Sequence, residues 1–234
     1  MLKSTLLKWL TDTAMVTEVS DPSAHFRFLT LRSDVFKTKA PAPGDKIRVV
    51  VDDAELRTYT PFDWDPIAGT ARLLAYRRGE GAASRWLSGL RTGDTCQLLG
   101  PQRSTALDKV ERPTVFIGDE TSFALACALK NTRGRSTDIH FLFEVSSAEE
   151  SQPVLWDISL GEYSLVERAA DDTHLATLDR RLMDLLVGSA PRQFVFSGKS
   201  STIQHLSQSL KRQGRPPSQM LVKAFWAPGK QGLD

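Results

Sequence analysis

The stretch "PTVFIGDETSFALACALKN", residues 113–131, marks where one folding pattern gives way to another. Its first part, "PTVFIGD", is a short apolar run of strand composition, and "ETSFALACALKN" reads as a helix. The same alternation continues downstream. "DIHFLFEV" predicts a strand, "DDTHLATLDRRLMDLLV" a helix, "RQFVFSG" a strand, "SSTIQHLSQSLKRQG" a helix and "QMLVKAFW" a strand. Strands that alternate with helices of this length predict a parallel sheet with crossover helices.

Upstream the pattern is different. "AMVTEVS" and "AHFRFLTLR" read as strands divided by the turn signal Asp21-Pro22. "KIRVVV", "ELRTYT", "TARLLAYR" and "GDTCQLLG" continue the series, interrupted by one helix over "AASRWLSGL", residues 82–90. Short strands with turn signals between them predict a small antiparallel barrel or sandwich. The expected organisation is therefore β-barrel plus α/β, with an N-terminal domain over residues 1–108, a C-terminal parallel-sheet domain over 109–234, and "STALDKVERP" as the linker. The opening "MLKSTLLKWL" reads as a short amphipathic helix, too short in its apolar part for a signal peptide.

Bulk properties narrow the function classes. The 234 residues carry a net charge of +2, too little to argue for nucleic acid. The two cysteines, Cys96 and Cys127, are too far apart for a thiolate metal site or a disulfide framework. His25, His140, His174 and His205 show no metal-ligand spacing, and there is no G-x-S-x-G elbow. No run is long enough to span a membrane, and the expected location is the cytoplasm.

Five stretches carry candidate chemistry. In "ELRTYTPFDWDP", residues 55–66, strand alternation puts Arg57 and Tyr59 on one face, with Thr58 between them and Thr60 at the rim before Pro61. A cation beside an aromatic plane suits an anionic group and a flat ring; it also suits an ordinary surface. In "LLAYRRGEGAASRW" a strand through Tyr76, Arg77 and Arg78 runs into Gly79 and Gly81, and a helix starts at Ala82, Ala83 and Ser84. Glycines permit close approach of a ligand, and the open N–H groups of a helix start attract an anion. The spacing lacks the third glycine of the dinucleotide fingerprint. At Asp119, Glu120, Thr121 and Ser122 a parallel strand ends and a helix begins, where open α/β sheets bind ligands, and where Asp119 or Thr121 is equally a plain helix cap. The turn after "FVFS", with Gly198 and Lys199, and the tail strand with Phe225 and Trp226 complete the set.

In this order, "RTYT", "GEGAASRWLSGLRTGD", "LLGP", "FIGDETS", "FSGKSST" and "FWAPGKQGLD" resemble the siderophore-interacting protein family, a branch of the ferredoxin-reductase-like flavoproteins. The resemblance implies an FAD-binding barrel followed by an NAD(P)H-binding α/β domain. It implies that Arg57 holds the FAD pyrophosphate, that Tyr59 lies against the isoalloxazine with Thr60 at its reactive edge, and that Gly81 to Ser84 cradle the pyrophosphate. The two acidic residues at Asp119 to Ser122 suit a soft contact to nicotinamide or ribose better than a phosphate. Lys199, standing where relatives have glutamate, suits the 2′-phosphate of NADPH or equally a solvated surface, with NADH as the alternative nucleotide.

The implied activity is an NAD(P)H-dependent ferric-siderophore reductase with no catalytic side chain, the cofactors carrying the redox chemistry. The alternatives are a flavin reductase or diaphorase with another acceptor, and a non-catalytic FAD-containing binding protein. The expected partner is a ferric siderophore or other iron chelate, bound through Arg48, Arg103 and Lys230, and the expected state is a monomer. The chain departs from the family pattern at Arg78, where a histidine is usual, and at Ala82, where a proline is usual. It departs also at Lys199, where glutamate is usual, and at Ala227, where a base is usual.

Overall fold

The structure is a computed structural model that describes residues 10–39, 41–52, 55–79, 81–111, 113–133, 139–187 and 192–230. The amphipathic helix expected over "MLKSTLLKWL" lies outside them but for its last residue. The chain divides into two compact units. One runs to Asp108 and takes in Cys127–Thr132; the other comprises Lys109–Ala126 and the chain from Arg133 onward.

The first unit is built from β1 (Asp12–Ser23), β2 (Phe26–Arg32), β3 (Lys46–Asp52), β4 (Glu55–Tyr59), β5 (Asp63–Asp65), β6 (Thr70–Tyr76) and β7 (Thr95–Gln102). They form one seven-stranded sheet in the order β4-β3-β7-β1-β2-β6-β5. Every pairing in it is antiparallel. The sheet curls until β4 comes near β6, as the barrel expectation requires. Alternate residues turn inward: Val16, Leu29, Leu31, Ile47, Val49, Leu73 and Leu98 are completely or almost completely buried. Among the described residues this unit includes α1 (Val35–Thr38), which the expectation of a single helix left out, and α2 (Ala82–Gly89), whose Leu87 enters the core.

The Asp21-Pro22 turn is not a turn. β1 runs through it to Ser23, and a register shift between Ser20 and Ser23 absorbs the proline. At such a bulge the missing proline N–H costs no ladder bond. The bulge also delivers Asp21 to Arg27. The two form a bidentate pair, Nε–Oδ1 2.8 Å and Nη2–Oδ2 2.7 Å. Arg27 is buried, and its Nη1 donates to the carbonyl oxygens of Leu87 and Leu90 at the C-terminal end of α2. The hydrogen bond from Arg27 holds the Asp21 carboxyl below its ordinary pKa.

The second unit carries β8 (Thr114–Gly118), β9 (Ile139–Val145), β10 (Tyr163–Glu167), β11 (Gln193–Lys199) and β12 (Met220–Trp226), all parallel in the order β10-β9-β8-β11-β12. Its helices are α3 (Phe123–Arg133), α4 (Ala148–Asp157), α5 (His174–Asp184) and α6 (Ser200–Arg212). Val115, Ile117, Leu142, Phe194 and Phe196 pack with Leu178 and Leu182 of α5 and Leu206 and Leu210 of α6. Phe116, Phe123, Phe141 and Phe143 form an aromatic cluster, with ring centroids between Phe123 and Phe143 4.9 Å apart. Two elements escape the sequence pattern, α4 and β10. α4 contains Pro153, a helix breaker, and is announced only by its cap, Ser147, whose hydroxyl accepts from the Glu150 N–H at 3.2 Å. β10 has a single fully buried residue, Val166, and so shows no apolar run.

Replacing Arg27 by Met should cost the first unit about 3–5 kcal/mol, because Asp21 and two helix-end carbonyls lose their partner. Urea unfolding of the purified variant measures this; a loss below ~1 kcal/mol would mean that the clamp contributes little.

Candidate functional site

The two units present one candidate site each. In the first, β4 pairs with β3 so that Arg57 stands opposite Val49 and Tyr59 opposite Ile47. Opposed residues share a face, and Ile47 and Val49 are core residues. Arg57 and Tyr59 therefore occupy the inward face of an edge strand, and Tyr59 packs against the core. Arg57 forms an ion pair with Glu55 two residues earlier on the same face, and its Nη1 donates to the Leu56 carbonyl at 2.9 Å. Thr58 lies on the other face, opposite Arg48.

The glycine turn and α2 are the second candidate feature of this unit. Gly79 has φ 66°, a conformation that glycine adopts without strain. Gly81 caps α2 with φ −66° and has no side chain to bond the first-turn N–H groups; a Cβ built there meets nothing within 4 Å. The need for glycine at 81 is thus one of space and open N–H groups, not of backbone angle. Gly79, Ser84, Arg85 and Ser88 line a cavity of about 340 Å³ along α2. The Ser84 hydroxyl donates to the Arg78 carbonyl at 3.4 Å and braces the loop. Arg77 is held away, with Nη2 2.6 Å from the Ala24 carbonyl and 3.2 Å from Asp21. Tyr76 packs on Phe26, ring centroids 4.9 Å apart.

In the second unit the site lies at the carboxyl ends of the strands. Asp119 follows β8, is fully buried, and accepts from the Thr121 N–H at 2.9 Å and from the Trp226 indole N–H at 2.7 Å. The Thr121 hydroxyl donates to the same carboxylate, and the Ser122 hydroxyl lies 3.5 Å from it. The cap role that the sequence leaves open for Asp119 is real, and the bond to Trp226 is an addition that residue spacing could not show. Burial pushes the Asp119 carboxyl up to about 6, aided by Glu120 and Glu144 and opposed by hydrogen bonds from Thr121 and Trp226. Gly198 has φ 99°, and a Cβ there would stand 2.4 Å from Asp119 Oδ2. Phe225 is half-buried in β12.

Around Asp119 runs a network that sequence reasoning missed. Glu120 Oε2 is 2.8 Å from Nη2 of Arg168, the residue after β10. Arg168 Nη1 donates to Ser146 Oγ at 2.7 Å, and its guanidinium lies 6.0 Å from the Trp226 ring. Glu144, buried in β9, accepts from Thr202 Oγ1 at 2.8 Å and meets His174 Nε2 at 3.0 Å. His174 Nδ1 takes the Ala169 N–H at 3.2 Å, which makes Nε2 the protonated nitrogen and the donor to Glu144. Lys199, expected as an available cation, is buried with Nζ 3.2 Å from Asp172 Oδ1.

The three residues expected to hold an anionic chelate have different surroundings. Arg103 is clamped by Asp108 at 2.8 and 2.9 Å, with Asp45 at 3.8 Å. Arg48 stands on the opposite sheet face from Arg57 and Tyr59, half-buried, its Nε lacking a hydrogen-bond partner. Lys230 is exposed beyond β12. Among the described residues no group of His, Cys, Asp and Glu could hold a metal ion, Cys96 and Cys127 are buried and form no disulfide, and no helix is long and apolar enough to cross a membrane.

No protein-family model matches the chain, and no curated protein does. Solved structures match it well. A siderophore-interacting protein from Acinetobacter baumannii superposes with TM-score 0.76 at 13% identity, over 94% of this chain and 92% of that one. The siderophore-interacting protein SipS from Aeromonas hydrophila gives TM-score 0.76 at 18% identity, over 94% and 93%. The chain has the ferredoxin-reductase-like fold. The ferredoxin reductase in carbazole 1,9a-dioxygenase shares it, with TM-score 0.70 at 21% identity over 92% of this chain and 68% of that one. The likeness read from the motifs thus extends along nearly the whole chain.

Two outcomes follow for the second unit. Gly198→Ala should destabilise it by at least ~1–2 kcal/mol, since the left-handed angle and the Asp119 carboxylate both oppose a Cβ; an unchanged urea midpoint would refute this. The Asp119 carboxyl is raised from 3.8 to about 6 in the folded protein. The folded state then holds a proton that the unfolded chain releases, so stability falls as pH rises from about 4 to about 6, by roughly 2–3 kcal/mol. The difference between wild type and Asp119→Asn across that range should carry this slope, and parallel pH curves would refute it.

Proposed function

We propose that this chain is an NAD(P)H-dependent flavoprotein oxidoreductase, with FAD held by the first unit and a ferric siderophore as electron acceptor. The observation that carries the flavin assignment is the pairing, in one unit, of a helix start bare of any side-chain cap at Gly81 with an arginine and a tyrosine on the inward face of an edge strand. The space above Gly81, where a Cβ meets nothing, and the cavity along α2 fit a phosphate-bearing group. Arg57, Tyr59 and Thr60, with the N–H groups of Ala82, Ala83 and Ser84, would hold the FAD. When bound, FAD supplies the chemistry that accepts a hydride and delivers single electrons.

The residues themselves do no bond-making; they position. Arg57 is held by Glu55 in a half-exposed pair, worth about 0–1 kcal/mol, which a pyrophosphate offering charge-assisted bonds can displace. Arg27 fixes the far end of α2, so that its free N–H groups keep one direction. In the second unit the carboxyl ends of β8 and β11 flank the point where strand order reverses, the place where such sheets take nucleotides.

The siderophore as acceptor is supported by the siderophore-interacting proteins matched over 92–93% of their length. A second reading, a flavin reductase or diaphorase with a less anionic acceptor, is favoured by the clamping of Arg103 and by Ala227 in the tail. The purified protein should be yellow with non-covalent FAD. Arg57→Ala should weaken flavin retention by roughly 1.5–3 kcal/mol, and equal FAD affinity would sink the assignment. Anaerobic reduction by NADH or NADPH, followed by addition of a ferric chelate, tests the activity. A flavin that neither nucleotide bleaches indicates a binding protein; a bleached flavin that ferric chelates do not reoxidise indicates the diaphorase.

A further inference from the structure

We propose that the second unit selects NADH over NADPH, and that Asp172 sets this choice by neutralising Lys199; the inference rests on the nucleotide-binding reading above. The strand order β10-β9-β8-β11-β12 reverses between β8 and β11, so the crevice at their carboxyl ends is where a nucleotide is taken. Lys199 ends β11 at that crevice. A lysine there could meet a 2′-phosphate as a point charge. Its Nζ instead lies 3.2 Å from Asp172 Oδ1, and its side chain is only 9% exposed, whereas that of Asp172 is 57% exposed. The carboxylate, not the ammonium, is the member of the pair that faces solvent.

A second cation at this edge, Arg168, is also paired. Its guanidinium meets Glu120 at 2.8 Å and Glu144 at 3.8 Å, with Ser146 Oγ completing the shell. Asp171 adds a further carboxylate beside Asp172; hydrogen bonds from Thr173 hold it below its ordinary pKa and so ionised. His174 contributes no charge, because its Nδ1 accepts a backbone N–H and its Nε2 donates to Glu144. Among the described residues, Lys199 and Arg168 thus each already meet a carboxylate, and Asp172 presents one to solvent.

A 2′-phosphate carries close to two negative charges at neutral pH and needs an uncommitted base. A ribose 2′-hydroxyl needs an acceptor, which an exposed carboxylate provides. One more observation points to a ligand here. Ser197, two residues before Lys199 in β11, has a hydroxyl without a hydrogen-bond partner although the residue is only 3% exposed.

The test uses redox-inert probes, so that binding is read apart from turnover. ADP-ribose and its 2′-phosphorylated form are titrated calorimetrically into the flavin-loaded full-length protein, with wild type, Asp172→Asn and the double variant Asp172→Asn, Lys199→Met. Asparagine tolerates the left-handed backbone of residue 172, φ 59°, and a thermal melt confirms the fold. Wild type should bind ADP-ribose more tightly by on the order of tenfold. Asp172→Asn should narrow or invert that ratio by about five- to tenfold, more at low salt, and the Lys199 substitution should cancel the gain. Tighter binding of the 2′-phosphorylated probe by wild type overturns the proposal while leaving the nucleotide site standing, as does a ratio that Asp172→Asn leaves unchanged. Binding of neither probe overturns both.

Discussion

The second unit depends on one buried carboxylate. Asp119 caps the chain that follows β8, receives the indole N–H of the last strand, and presses against the α-carbon of Gly198 in β11. Three neighbouring strand ends are thereby fixed by one side chain. A carboxylate so deep in the protein is tolerated only because its donors surround it. The identities of Thr121, Gly198 and Trp226 follow from that requirement. The next shell obeys the same rule: Glu120 needs Arg168, and Glu144 needs His174 and Thr202. A chain of satisfied polar groups in low dielectric is stiff, since moving one member orphans the next.

Much of the architecture was legible in the sequence. Alternation of apolar strands with helices after residue 113 and punctuated short strands before it led to the two sheet types found. The helix start at Gly81 and Ala82 was legible because glycines punctuate strongly. α4 and β10 were not, since Pro153 argued against a helix and β10 lacks an apolar run. The Asp21-Pro22 dipeptide misled in the opposite direction, because a bulge can house a turn signal.

The sites were less legible than the fold, and for one reason. A sequence shows charges but not their partners. Lys199 and Asp172 are 27 residues apart, Arg168 and Glu120 48 apart, and Trp226 and Asp119 107 apart. Each looked available until the fold closed the pair. Arg103 has a nearer partner, Asp108, five residues on, which a loop rather than a helix brings round. Arg48, paired with Thr58, stands on the face opposite Arg57, since one residue along a strand reverses the face.

Helix α2 is tied down at its carbonyl end and carries no side-chain cap at its start. Arg27 meets the carbonyl end, where a cation opposes the partial negative charge, and the amide end stays open beyond Gly81. Such a helix is a donor array aimed before any anion arrives. The loss of freedom needed to align those amides was incurred when the chain folded, so little of an incoming phosphate's interaction energy is consumed in arranging its own receptor. What remains to be ordered on capture is the strand side of the site, where Arg57 must change partners.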